Sequence, residues 1–349
     1  MPKKKKSITK RKSAPRKIRR GGSRSLSKKI AVRKRKILIA IAVMISIFFI
    51  TAYLTVSRSI LKDNMEYTVV PGVSISSVAN DLYQGKLFKF LVLVNGNKIQ
   101  VGTYDFPVGS SIWRMARMMA RGQIASVAIV VPEGLTVKQI AKLLKDNKYL
   151  SGDNFGESHI TYKDGELFPD TYIVAKGTDR NAVLDLMARK MVEIRTGSER
   201  IAKIPSPLSN WNDVVTLASI VQKETGKVSE MPIIASVYLN RLKKGMRLQA
   251  DPTVVYAITN GLGDMQERKL WAKYLQIKNP FNTYKNFGLP PAPIANVGMD
   301  AIKAVLRPAD TNYLYFVADG TGGHVFSQTL DQHNKFREVL RRIKNGERK

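Results

Sequence analysis

The sequence predicts an α+β protein in three parts: a single N-terminal transmembrane helix, a small α+β module, and a larger mixed α+β domain. Three observations carry this reading. Residues 37–56 are twenty positions without one charge, the length of a helix that spans a bilayer. Residues 68–150 repeat a strand, a Pro/Gly turn, a Ser or Thr, and an amphipathic helix. Residues 151–349 then mix helical periodicity with Pro- and Asn-rich loops and a late strand hairpin.

The tail comes first. Residues 1–36 hold eighteen Lys and Arg and no acid, so they form no core and are expected to be disordered. Of the formal net charge of +31, 31 − 18 = +13 remains for the rest of the chain. Alone, such a tail suggests nucleic acid. Beside a membrane span it reads more simply as an orientation signal with attraction to anionic lipid, and no nucleic-acid partner is expected.

The span at 37–56 is too long and too uniformly apolar for a cleaved signal peptide and has no polar face for a buried core helix. It reads as a retained anchor in the plasma (inner) membrane. Lys and Arg are massed before it, with Arg58 and Lys62 close behind, so the N-terminus is expected in the cytoplasm and the bulk of the chain outside. Zero cysteines fit an exported protein without disulfides.

Residues 57–67 read as a linker. The three copies that follow begin at Val70-Pro71-Gly72, Phe106-Pro107-Val108-Gly109 and Val131-Pro132-Glu133-Gly134, with Ser or Thr at each helix start. Ile140, Leu143 and Leu144 form a face expected to pack on a strand at 127–131. This topology resembles the LysM-like fold, a glycan-binding module.

In the domain at 151–349, residues 182–192 read as an amphipathic helix and 204–210 as a Pro/Ser linker. Residues 211–226 predict a short helix, with Asn212 as N-cap, Trp211 as staple and Gly226 as a left-handed exit. Residues 233–242 predict another. Met246 to Thr253, Asn279 to Tyr284 and the proline-rich Gly288 to Ile294 read as loops suited to a polar, aromatic-walled cleft. A buried strand at 313–318, a Gly-rich turn at 319–323, a return strand at 324–326 and a basic amphipathic helix complete the chain.

The helix at 211–226 carries the chemistry. Val214, Leu217, Val221 and Glu224 fall at alternating three- and four-residue steps, so Glu224 continues a buried stripe. It also lies in the last turn, where the negative end of the helix dipole and partial burial both raise a carboxyl pKa. Such a group can act as a general acid. Beside Lys223 and Lys227, the plain alternative is a solvated surface residue.

Other chemistries lack their residues. His159, His324 and His333 have no ligand spacing, and the P-loop, dinucleotide and Gly-x-Ser-x-Gly patterns are missing. Neither a metal nor another cofactor is expected. Glycoside cleavage usually uses two carboxyls, and Asp251 and Asp170 are the candidates for a second. Asp170 and Asp251 have the plainer alternative of capping turns.

Leu-Phe-Pro-Asp-Thr-Tyr (167–172), Ala-Ser-Ile-Val-x-Lys-Glu-Thr (218–225), Leu-Gln-x-Asp-Pro-Thr-Val-x-Tyr (248–256), Asn-Thr-Tyr (282–284), Gly-Leu-Pro-Pro (288–291) and Tyr-Leu-Tyr-Phe-Val-Ala-Asp-Gly (313–320) occur in order. Together they resemble the endolytic murein transglycosylase family, MltG/YceG-like. The resemblance implies an enzyme that cuts within peptidoglycan glycan strands between N-acetylmuramic acid and N-acetylglucosamine, leaving 1,6-anhydro ends and terminating strand growth. It implies Glu224 as acid and then base, with Gln249, Asp251, Asn282, Tyr284 and Asp170 along the sugar cleft. Cell-wall synthases would be partners. Three departures stand out: Gln222 where some relatives carry a second Glu, Asp164 and Glu166 before Leu-Phe-Pro-Asp, and Ala292 where Gly is common. A two-carboxylate hydrolase and a non-catalytic glycan-binding scaffold remain the alternatives.

Overall fold

The computed structural model describes residues 23–82, 85–152, 155, 160–263 and 273–344. The chain forms two compact units: one gathers the chain through Met65 with Val73–Ile99 and Phe106–Gly122, the other Glu66–Gly72, Gln100–Asp105 and Gln123 onward.

In the first unit, α1 (Ser23–Ser57) is a continuous helix, long and apolar enough to cross a membrane. It starts fourteen residues before the expected span, so positions 23–36 are helical rather than disordered. Lys and Arg are good helix formers, and a helix already nucleated by the apolar run extends into them cheaply. Residues 1–22 of the expected tail lie outside the described residues. Strand β1 (Met65–Val69) follows and, from Glu66 on, counts with the second unit. Helix α2 (Ile75–Leu82) starts as expected, with Ser74 Oγ accepting from Ser77 N. Helix α3 (Gly85–Asn95) was not separately expected, because its hydrophobes face both inward and outward. Strand β2 (Gly102–Phe106) pairs with β1 and, through Asp105, likewise counts with the second unit. Helix α4 (Ile112–Ala120) is capped by Ser111.

In the second unit, β3 (Ser126–Val130) and α5 (Val137–Lys145) form the third copy of the repeat, with Thr136 and Gln139 in a reciprocal capping box. Strand β4 (Thr171–Ala175) pairs antiparallel with β3, Ile129 opposite Tyr172. Helix α6 (Arg180–Ile201) runs well past the expected 182–192. Ile129, Ile140, Leu144, Leu167, Leu184 and Met187 share one core. That core and the β3–β4 sheet therefore run across residue 150.

The second core surrounds α7 (Trp211–Glu224). Nine of its fourteen residues are buried, on every side, because α8 (Met231–Lys243), α9 (Asp251–Thr259) and α10 (Met299–Leu306) all pack on it or on one another. Asn210, not Asn212, caps α7: its Oδ1 accepts from Asp213 N, while Asp213 Oδ2 accepts from Ser209 N. Trp211 is then the first helical residue and is buried. The exit is also different. Thr225 leaves the helix in extended conformation, and Gly226 does not adopt a positive φ.

Helix α9 takes in Asp251-Pro252-Thr253, which read as loop; Pro252 fits because the first turn has no internal bond for its missing N–H. Strands β5 (Tyr315–Ala318) and β6 (His324–Ser327) form the expected hairpin. β5 is shorter than expected, and its residues are half-exposed rather than buried. Its Gly320 and Gly322 adopt the left-handed conformation the turn requires. Helix α11 (Leu330–Lys344) ends the described chain.

Candidate active site

Glu224 closes the buried stripe of α7, below Val214, Leu217 and Val221, all fully buried. Its carboxyl is half-buried at a cleft of about 330 Å³, lined also by Lys223, Asp251, Tyr256, Thr136 and Ile294. Burial pushes its pKa up from 4.5 to about 7, with the nearby Asp251 charge adding to the rise. Two groups oppose this. Tyr238 of α8 donates to Glu224 Oε1 at 2.6 Å, and the Arg241 charge favours the carboxylate. Among the described residues, no hydrogen bond is made to Oε2. In the acid form the proton therefore resides on Oε2, the oxygen left for a ligand in the cleft.

Tyr238 is held in turn. It is buried on the stripe of Met231, Ile234 and Ala235, and the edge of its ring meets Phe316 of β5 at 5.8 Å between centroids. The hairpin carrying Phe316 is tied to the start of α8 through His324 Nδ1 and Glu230 Oε2, 2.7 Å apart. Arg241, also buried, donates to the Leu314 carbonyl at 2.6 Å and the Leu248 carbonyl at 2.8 Å. A tyrosine on an apolar stripe needs a partner for its hydroxyl. That was the signal in 231–238 for a residue paired with Glu224.

The other expected site residues separate into groups. Asp251 lines the cleft with Glu224 and accepts from Tyr284 Oη at 2.6 Å. Gln249 lies beside this pair in sequence, with a left-handed backbone at φ +52 and its Oε1 at 3.4 Å from Arg241 Nη1. Asn282 is fully buried, and its amide donates to the carbonyls of Leu275 and Ile277 while its Oδ1 accepts from Tyr284 N. That side chain shapes the loop presenting Tyr284. Asp170 stands outside the lining of the cleft: its carboxylate accepts from Thr171 N and its carbonyl from Val131 N at the β3–β4 end. Asp170 thus braces the strand start, the geometry of its turn-capping alternative.

Five residues build or brace the wall without having been expected there. Thr136 donates to the Gly261 carbonyl and Gln139 Nε2 to the Leu262 carbonyl, so the start of α5 closes the cleft against the end of α9. Asp164 accepts from Val137 N and from Tyr256 Oη, both at 2.6 Å, while burial raises its pKa. Asn296, fully buried, accepts from Gly165 N and Leu167 N at 3.0 Å and donates to the Leu135 carbonyl at 3.0 Å. Gln222, two residues before the acid, accepts from Gly298 N at 3.2 Å.

The cleft defines an α+β protein that holds one carboxyl near neutrality, equipment suited to an acid–base enzyme. Residues 67–338 match the YceG-like family, and the chain belongs to it. It is 32% identical over 323 residues to an endolytic murein transglycosylase of Bacillus subtilis, 81% of this chain and 87% of that protein. It is also 32% identical over 173 residues to an endolytic murein transglycosylase of Streptococcus pneumoniae strain D39, 49% of this chain but only 31% of that longer relative. A solved YceG-like protein of Listeria monocytogenes is 30% identical, with 78% of this chain and 99% of that chain covered at a TM-score of 0.47.

Proposed function

We propose that this chain is a peptidoglycan lytic transglycosylase that cuts inside glycan strands, with Glu224 as its acid and then its base. One observation carries the reading: a single carboxyl with a pKa of about 7 stands in the cleft with one oxygen bonded to Tyr238 and the other open. The names of the relatives, endolytic murein transglycosylases, supply the substrate. Glu224 Oε2 gives its proton to the bridging oxygen as the muramoyl C1–O bond breaks. The carboxylate formed then takes the proton of the muramoyl C6 hydroxyl as that oxygen bonds to C1. No water enters, and the product carries a 1,6-anhydro end. A second hollow of about 320 Å³ lies on the other side of the Tyr256–Asp164 pair and offers a polymer a surface beyond the cleft.

In this proposal α1 anchors the protein in the plasma membrane with its N-terminus cytoplasmic and the catalytic residues outside. The LysM-like topology of 68–150 suggests glycan contact there, with 151–349 as the catalytic domain. Cutting near cell-wall synthases would terminate strands.

A second reading is favoured by Asp251, which shares the cleft with Glu224. It would activate water in an ordinary two-carboxylate hydrolase. Mass spectrometry of purified glycan strands treated with wild type and Glu224→Gln separates the readings. Anhydro-muramoyl ends that vanish in the variant support the lytic mechanism; reducing ends support hydrolysis; binding without cleavage by either protein supports the scaffold.

A further inference from the structure

Helix α3 turns an apolar face to solvent. Phe90, Leu93 and Val94 are 59%, 42% and 59% exposed, and with Lys86 and Lys89 they fall at helical steps on one stripe. The opposite stripe, Phe88, Leu91 and Val92, is buried. Such a face on a soluble surface costs free energy unless something covers it. The same unit contains α1, and α4 links α3 to that helix. Gly109 N donates to the Leu61 carbonyl, and Ile60 N to the Ser110 carbonyl, within a few residues of where α1 ends at Ser57. Helix α4 starts there, packs on α1, and packs along α3. It is nine residues, or about 13 Å, long. Trp113, half-exposed in its first turn, is of the type that favours the headgroup level.

Charge favours the same partner. After α1 this unit carries eight Lys and Arg against only Asp63 and Asp81. Arg114 and Arg117 are exposed along α4. An amphipathic helix with cations at one end of its apolar face, beside a membrane anchor, has the pattern of an interfacial helix on anionic lipid.

We propose that the exposed face of α3 docks on the leaflet beside the end of α1, with Phe90, Leu93 and Val94 at the acyl boundary and Lys86 and Lys89 on anionic headgroups. The proposal rests on α1 as a membrane anchor. Because the chain has no cysteine, a single introduced one takes a spin label uniquely. The full chain, reconstituted in phosphatidylglycerol/phosphatidylcholine vesicles, is labelled at Leu93→Cys, with Phe48→Cys in α1 and Thr196→Cys on α6 as references. Lipid contact raises collisions with oxygen and lowers those with a water-soluble nickel chelate. The Leu93 label is expected to show that pattern, several-fold from the Thr196 label, and to lose it when Lys86→Glu and Lys89→Glu are combined. A Leu93 label as open to nickel as the Thr196 label, or shielded from oxygen and nickel alike as by protein, overturns the docking while a lipid-embedded Phe48 label upholds the anchor. An aqueous Phe48 label overturns both. A pattern at Leu93 that survives the double charge reversal overturns the headgroup contact.

Discussion

Tyr238 on α8 donates to Glu224 Oε1 on α7 at 2.6 Å, fourteen residues away in sequence and across a helix pair. Its phenol is fully buried, and its own pKa is pushed far up by burial and by the Glu224 charge, so it stays a donor. The bond stabilises the carboxylate, and it opposes the burial that holds Glu224 near 7.

Replacing Tyr238 with Phe removes that stabilisation. In the proposed mechanism the free acid makes the first proton transfer, so activity should fall as pH rises through about 7 in wild type. In Tyr238→Phe this descending limb moves to higher pH. The plateau rate falls by about tenfold, the worth of one charge-assisted hydrogen bond. A kcat/KM profile from pH 5 to 9 checks both; an unmoved limb would show that Tyr238 does not act on Glu224.

Asp251→Asn should shift the limb the other way. Removing a like charge beside Glu224 eases its ionisation, so the pKa drops and activity is lost at lower pH. The lytic mechanism further expects the variant to keep measurable cleavage with anhydro ends. Loss of all cleavage by Asp251→Asn would point to the hydrolytic reading.

The acid at residue 224 also has a stability consequence. Its folded pKa of about 7 lies above the ordinary 4.5, so the folded chain binds the extra proton between these values. That contribution is fully present below about 4.5 and is lost as pH rises through 7. Glu224→Gln, neutral at every pH and able to keep the Tyr238 bond, escapes the loss. It should be more stable than wild type at pH 8 by on the order of 1–3 kcal/mol, with little difference at pH 4. Urea unfolding at the two pH values measures this.

Asn296→Ala leaves the Gly165 and Leu167 N–H groups without their partner in a buried place, while the Leu135 carbonyl keeps the backbone N–H of residue 296. We expect a loss of about 2–4 kcal/mol in urea unfolding, with cleavage falling because these bonds join the start of α5 to the wall carrying Asp164. A change below about 0.5 kcal/mol would mean that water takes over both N–H groups.

Much of the fold was legible. Ser111 and Thr136 cap the helices they were expected to start, and the turn at Gly320 and Gly322 is where its glycines place it. These are local signals, set by caps and left-handed glycines that need no distant partner. The α7 cap was misplaced because Asn210 and Asn212 are equal locally, and burial of Trp211 decides between them. Glu224 and Asp251, expected together at the site, line one cleft. Asp170 and Asn282 were assigned to the cleft by motif alone, and their hydrogen bonds belong instead to a strand start and a loop.

The sequence by itself determined the membrane-length helix, the three strand–turn–helix copies and the position of Glu224 on a buried stripe. Each follows from periodicity and composition over a few neighbouring residues. Only the tertiary structure decided the carboxyl's surroundings: Tyr238 on one oxygen, Asp251 and Arg241 pulling its ionisation in opposite directions, and the start of α5 closing the cleft. Desolvation and charge–charge interaction depend on distances between chain segments tens of residues apart, and no local pattern encodes those distances.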